Sequence, residues 1–353
     1  MASEMVSLFI EELRLCKVGP GETVAVLTED CVRQDYATAF LQAAQTLGAT
    51  AFQVNVCTTN AGGQMDRAVG ATSLAGNRPA IEALKSADIV IDLIFLLFSR
   101  EQIEITDNGT RVLLVVEPFS VLRDMLPTPA LRQRVEAAET RLQTARVMHI
   151  TSPAGTDVTY RLGDYPVMTE YGYTDTPGRW DHWPAGMLLT QGADDGVDGV
   201  VVLDAGDIVF PLKRYIVDPV RLTIEKGMVT AIEGEGNDAA LLRDFMASYN
   251  DPRAYAISHI GWGLNEKALW RQLAISEDPA AELGMHGRAF YGNVLFSTGP
   301  NVELGGKNDT LCHLDIPLKG ASLTLDGELI VDAGRIVPAD QRVEGGEAAS
   351  AAA

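Results

Sequence analysis

Basic charge is scarce in this chain: 28 Lys plus Arg stand against 48 Asp plus Glu, a formal net charge of -20. That imbalance argues against nucleic acid or an anionic membrane as a partner. It leaves a small substrate open, because one local pocket can oppose the global field. Long apolar runs are missing as well. The longest, from Ile89 to Phe98, is broken by Asp92 and is too short to span a bilayer. Residues 1–17 carry Glu4, Glu11 and Glu12 in an amphipathic pattern and lack the basic start and cleavage site of a secretory signal. Cysteine is sparse. Cys16, Cys31, Cys57 and Cys312 form neither a Cys-x-x-Cys pair nor a disulfide framework, so a reducing cytoplasm is the expected setting. No G-x-G-x-x-G or Walker-type loop sits at a strand-to-helix turn, and Gly19-Pro20-Gly21 precedes the first strand-like run instead of following it. Nor is there a G-x-S-x-G elbow. Nucleotide binding and serine hydrolysis are thereby disfavoured.

What is present is ample for two domains. The chain has 353 residues, with hydrophobic and charged fractions of 46% and 22% that are ordinary for a globular protein. Up to about residue 150, apolar strand-like runs alternate with amphipathic helical stretches. Strands are expected at 23–27, 50–56, 89–96, 111–116 and 147–151, and helices at 5–17, 34–47, 79–86 and 129–145. Continuous apolar strands alternating with helices predict an α/β domain with an open, mostly parallel sheet over residues 1–150. Beyond 150, short strands linked as hairpins around Lys226-Gly227 and Asp326-Gly327, with helices at 238–249 and 266–273, predict an α+β catalytic domain over 151–343. Residues 344–353 read as a disordered tail, and 62–77 as a lid or an inter-subunit arm.

The later domain holds the chemistry. In Leu311-Cys312-His313-Leu314-Asp315-Ile316-Pro317-Leu318, apolar and polar residues alternate as in a strand, so His313 and Asp315 share a face. A second run, Tyr255-Ala256-Ile257-Ser258-His259, reads as a strand ending at His259, before Ile260-Gly261-Trp262-Gly263. Two histidines and one carboxylate, if they converge, suit ferrous iron with open positions left for substrate and dioxygen. A hydrogen-bonded His–Asp pair in a core is the competing reading of the same spacing. Alternation turns Cys312 away from the metal. His286 reads as a surface or supporting residue and His149 as structural. The stretch from Thr169 to Pro184 gathers Tyr171, Tyr173, Trp180 and Trp183 beside Glu170, Arg179, Asp181 and His182. Such a loop suits either a planar ring substrate or a structural plug.

Several long motifs carry a resemblance. They are Glu170-Tyr171-Gly172-Tyr173, the stretch from Pro177 to Pro184, Ser258-His259-Ile260-Gly261-Trp262-Gly263-Leu264, Arg288-Ala289-Phe290-Tyr291-Gly292-Asn293, Phe296-Ser297-Thr298-Gly299-Pro300-Asn301, and Cys312 to Leu318. In these the chain resembles the 2,5-dihydroxypyridine 5,6-dioxygenases of bacterial nicotinic acid catabolism. The resemblance implies Fe(II) held by His259, His313 and Asp315, and opening of an aromatic N-heterocycle by dioxygen to give N-formylmaleamate. It further implies a catalytic His182 near the substrate as a hydrogen-bonding or proton-handling group, Leu97 on the pocket wall, and a homo-oligomer; Phe98, Glu170 and Trp180 are further candidates for binding the substrate. One position departs from the pattern. The family's strand continues Leu-Leu-His-Ser, with the His as base, whereas this chain reads Leu96-Leu97-Phe98-Ser99. Phe98 cannot accept a proton, which passes that role to His182 or points to a related heterocycle as substrate. A weaker resemblance runs to the thermophilic-type metallo-aminopeptidases, two-metal hydrolases with a Glu where this chain has His259.

Overall fold

Residues 2–58 and 70–343 are described here from a computed structural model. The 344–353 tail and residues 62–69 of the expected lid lie outside them. The chain divides into two units, Met1–Pro127 with Tyr171–Ala185, and Thr128–Glu170 with Gly186–Ala353.

In the first unit five strands pair in parallel, in the order Thr50–Val56, Thr23–Glu29, Ile89–Asp92, Arg111–Leu114 and Trp180–His182. Every residue of Ile89–Asp92 and Arg111–Leu114 is buried, as a sheet covered on both faces requires. Helices Ala2–Leu15, Gln34–Thr46, Arg78–Lys85, Arg100–Asp107 and Phe119–Asp124 belong to the same unit. Asn77 and Ser99 cap two of them by accepting from Ala80 N and Gln102 N.

The third strand stops at Asp92, short of the expected residue 96. The Asp92 carboxylate accepts from Ile94 N at 2.8 Å and Leu96 N at 2.7 Å, which bends the chain out of the sheet. Phe95 and Phe98 then take φ of 69° and 56°, a left-handed conformation uncommon for aromatic residues. Burial pushes the Asp92 carboxyl up to about 6, against the lowering effect of those backbone donors. The folded protein therefore holds this proton more tightly than the unfolded chain does. The group favours folding below about pH 4, and that contribution is lost as pH climbs through about 6. In urea titrations, wild type should lose roughly 2–3 kcal/mol more stability than Asp92→Asn between those limits. Parallel pH profiles of the two proteins would exclude the assignment.

The second unit is antiparallel. An eight-stranded sheet runs Met228–Glu233, Val220–Glu225, Val197–Leu203, Asp157–Arg161, Val147–Thr151, Ser322–Leu325, Glu328–Asp332 and Arg335–Ile336. Both expected hairpins are there, with Lys226 and Gly227, and Asp326 and Gly327, at positive φ. A five-stranded sheet runs Leu314–Leu318, Val294–Thr298, Ile257–Gly263, Met187–Gln191 and Met168–Glu170.

Helix Pro129–Thr144 and strand Val147–Thr151, read with the first domain, belong to the second unit. Val147–Thr151 pairs antiparallel with Asp157–Arg161 and with Ser322–Leu325, far along the chain. Conversely, Trp180–His182 returns to the parallel sheet beside Arg111–Leu114. The helix expected at 266–273 reduces to Gln272–Ile275. Asn265 Oδ1 accepts from Lys267 N and His286 Nδ1 from Leu269 N, so these amides do not feed helical carbonyls. Among the described residues, no helix is long and apolar enough to cross a membrane.

Candidate metal centre

His259 sits in the middle of a strand, not at its end: Ile257–Gly263 is buried at every position. Against Val294–Thr298 its register slips between Ile257 and Ile260, placing one extra residue on the His259 side. Such a bulge re-aims a side chain while leaving a backbone group unpaired. Ser297 Oγ supplies a partner by donating to the His259 carbonyl at 2.6 Å. His313 precedes strand Leu314–Leu318, and Asp315 is its second residue. The 311–318 stretch thus enters the sheet only from Leu314, yet His313 Nε2 and Asp315 Oδ1 still meet.

Ligand atoms from His259, His313 and Asp315 all lie within 4.8 Å of one another. Nε2 of His259 is 2.9 Å, and Nε2 of His313 is 3.3 Å, from the same oxygen, Asp315 Oδ1. The far side of each ring is anchored. His313 Nδ1 lies 3.1 Å from the Thr298 carbonyl, which can only accept, so Nδ1 carries the hydrogen and Nε2 is turned toward Asp315. His259 Nδ1 lies 3.4 Å from Glu303 Oε1, a carboxylate–histidine arrangement of the kind that orients metal ligands. The other oxygen, Asp315 Oδ2, accepts from Arg288 Nε at 2.7 Å.

The electrostatics call for a cation. Burial opposes the charge on Asp315, but His313, Arg288 and His259 outweigh it and hold this carboxyl well below the usual range. Burial likewise opposes a charged His259, yet Asp315 and Glu303 push it up to about 10. Protonated His259 and the Asp315 carboxylate attract each other across Nε2 and Oδ1, and a divalent ion held by the two imidazoles and that oxygen would take the place of the proton. The donor set fits a metal that accepts nitrogen and oxygen together. Cys312 is no part of it: its thiol is buried and burial pushes it up to about 12. His286 is buried, not at the surface, and its Nδ1 accepts from Leu269 N. His149 lies on the large sheet, 2.8 Å from Asp157.

The remaining expected site residues fall into two places. Phe98 and Trp180 have ring centroids 5.9 Å apart, and Trp180 and His182, two apart on one strand, 6.5 Å. Leu97 shares the turn of Phe98, and all four belong to the first unit. Glu170 is buried at the end of an edge strand in the second unit. The aromatic loop thus divides in two. Tyr171 and Tyr173 pack together, Arg179 stacks 3.9 Å from the Tyr171 centroid, and Trp183 packs on Phe9. Asp181 ties the loop by accepting from Gly172 N, His182 N and Arg179 Nη2. These are structural, whereas Trp180 stands with His182 and Phe98. Sequence reasoning missed Arg288, Ser297, Thr298 and Glu303 as supports of the ligands. Three of them lie inside motifs that carry the resemblance, but nothing local says which ligand each one holds.

An open parallel α/β unit together with a two-histidine, one-carboxylate cluster on an antiparallel sheet defines a candidate metalloenzyme. The chain belongs to the NicX family of 2,5-dihydroxypyridine 5,6-dioxygenases, whose family model matches residues 4–338. It is 46% identical over 343 residues to the 2,5-dihydroxypyridine 5,6-dioxygenase of Pseudomonas putida, covering 96% of this chain and 97% of that protein. The solved structure of the 2,5-dihydroxypyridine dioxygenase of Pseudomonas putida KT2440 superposes with a TM-score of 0.93 at 46% identity, over 97% of this chain and 99% of that one. AmpT from Thermus thermophilus matches with a TM-score of 0.51 at 13% identity, over 95% and 99% of the two chains, which speaks for the fold alone. The protein is accordingly an enzyme, a dioxygenase, as the resemblance implied.

Proposed function

We propose that His259, His313 and Asp315 hold ferrous iron and that the enzyme opens 2,5-dihydroxypyridine between ring carbons 5 and 6. Both atoms of dioxygen enter the product, N-formylmaleamate, so no external reductant is consumed. The observation that carries this reading is the convergence of both imidazoles on one Asp315 oxygen in a chain of this family. The ion supplies a charge that acidifies a bound ring hydroxyl and a centre at which ring and dioxygen can exchange electrons. The protein's own work is to orient the imidazoles through Glu303 and Thr298 and to move protons.

Leu97, Phe98, Glu170 and Trp180 are the proposed substrate-binding residues. His182 is the proposed proton-handling group, since Phe98 stands where the family carries its base and has no site for a proton. The same reading includes a homo-oligomer and a cytoplasmic setting; the four free cysteines support the setting. A peptidase reading finds little: a two-metal site needs further carboxylates, and among the described residues the cluster contains one.

The test is oxygen uptake by anaerobically iron-loaded protein. One dioxygen should be consumed per 2,5-dihydroxypyridine, with none for the Zn(II) form. His182→Gln should lower kcat roughly 10²–10⁴-fold, and Phe98→His should leave it within a few-fold. A sharp gain from Phe98→His on this ring would mean that the native substrate is a different hydroxylated N-heterocycle.

A further inference from the structure

Asp315 offers two oxygens, and they have separate duties. Oδ1 faces both imidazoles, while Oδ2 is taken by Arg288 Nε at 2.7 Å. Arg288 is itself held on three sides. Its Nη1 donates to the Leu283 carbonyl, its main-chain carbonyl accepts from Asn293 Nδ2, and its guanidinium carbon lies 4.2 Å from the centre of the Phe210 ring. Phe210 is bound to the same aspartate: its N–H donates to Asp315 O at 2.8 Å, and Asp315 N donates back at 3.1 Å. The ring can lie there because residue 284 is Gly, where a Cβ would come within 2.2 Å of a Phe210 ring carbon. Arg288 and its aspartate are thus parts of one rigid bracket, with side chains 17% and 7% exposed.

We propose that Arg288 is a positioning residue that reserves Asp315 Oδ2, so that the carboxylate meets the metal through Oδ1 alone. A divalent ion held by His259, His313 and one oxygen of Asp315 would have positions left for substrate and dioxygen. A carboxylate free to swing would bring its second oxygen to the ion and close one of them. The same bracket denies Oδ2 to a second, bridging ion. The inference rests on the reading of the triad as a metal site and assigns Arg288 no contact with substrate.

Co(II) alone, added to the full-length protein, is the probe, because its visible absorption reports coordination number. Wild type should take up one Co(II) per chain. Arg288→Gln should shift the bands toward higher coordination and lower iron-dependent turnover about 10–100-fold. Arg288→Lys, which keeps a cationic donor, should return most of the wild-type spectrum. Phe210→Leu removes the supporting ring, leaves both charges, and should shift the bands in the same direction to a smaller extent. Arg288→Gln with an unchanged Co(II) spectrum and only a lowered Tm would make the arginine merely structural and overturn the proposal. Failure of the wild type to take up Co(II) or Fe(II) would instead remove the metal reading itself, and the role of Arg288 with it.

Discussion

Asp315→Asn protein is expected to fold and to bind ferrous iron more than about 100-fold more weakly than wild type, beyond what the loss of an outer support costs. Asp315 is the one carboxylate in the cluster, and a single oxygen of it serves both histidines. The amide replaces a full negative charge by a dipole, and in one of its two orientations it would aim an NH₂ group at the cation. Arg288 then keeps its Phe210 ring and the Leu283 carbonyl but loses its counter-charge. Breaking a buried ion pair costs roughly 3–5 kcal/mol. The lower end applies here, because the amide oxygen can still accept one hydrogen bond. Anaerobic iron titrations and thermal melts on the same preparations separate the two effects. Wild-type iron affinity in this variant would show that the cluster is an ordinary buried His–Asp pair and no metal site.

Gly299→Ala should damage the same centre without touching a ligand. Gly299 has φ of 112°, and a Cβ there would lie 2.1 Å from Cys312 O and 3.0 Å from the Cα of His313. Both contacts are backbone, which cannot swing aside as a side-chain tip can. Adjoining groups also matter: Thr298 O fixes the His313 tautomer, and Gly299 N donates to Ala256 O just before the His259 strand. Backbone strain of about 1–3 kcal/mol and overpacking of about 1–3 kcal/mol should act together, with weakened metal uptake as His313 is displaced. Gly305→Ala is the control. That residue also has positive φ, at 88°, but a Cβ there meets nothing within 4 Å, so strain acts alone. Equal losses of stability and of metal affinity in both variants would exclude the clash with His313 as the cause.

Much of this is legible in the sequence. Strands Thr50–Val56 and Val147–Thr151, and the inner ends of both hairpins, fall where periodicity and turn residues place them. Local chemistry suffices there: an apolar run commits to a strand, and a Lys-Gly or Asp-Gly pair accepts positive φ. Hydrophobicity continues to Phe98, but the third strand ends at Asp92, whose carboxylate has already turned the chain. The sequence pattern ends a strand-like run at His259, before Ile260-Gly261-Trp262-Gly263. In the structure Gly261 and Gly263 belong to the same buried central strand, Gly263 as its last residue.

The residue types at the centre, their spacing of two at His313 and Asp315, and the family motifs were all set by the one-dimensional order. Side-chain alternation along an extended chain and donor chemistry do not depend on the rest of the fold. That His259 joins the pair, that Arg288 occupies the second oxygen of Asp315, and that Trp180–His182 completes a parallel sheet while Val147–Thr151 leaves it were decided in three dimensions. Each depends on pairing between segments tens of residues or more apart. Such pairing is selected by the closure of whole sheets, and no local pattern encodes it.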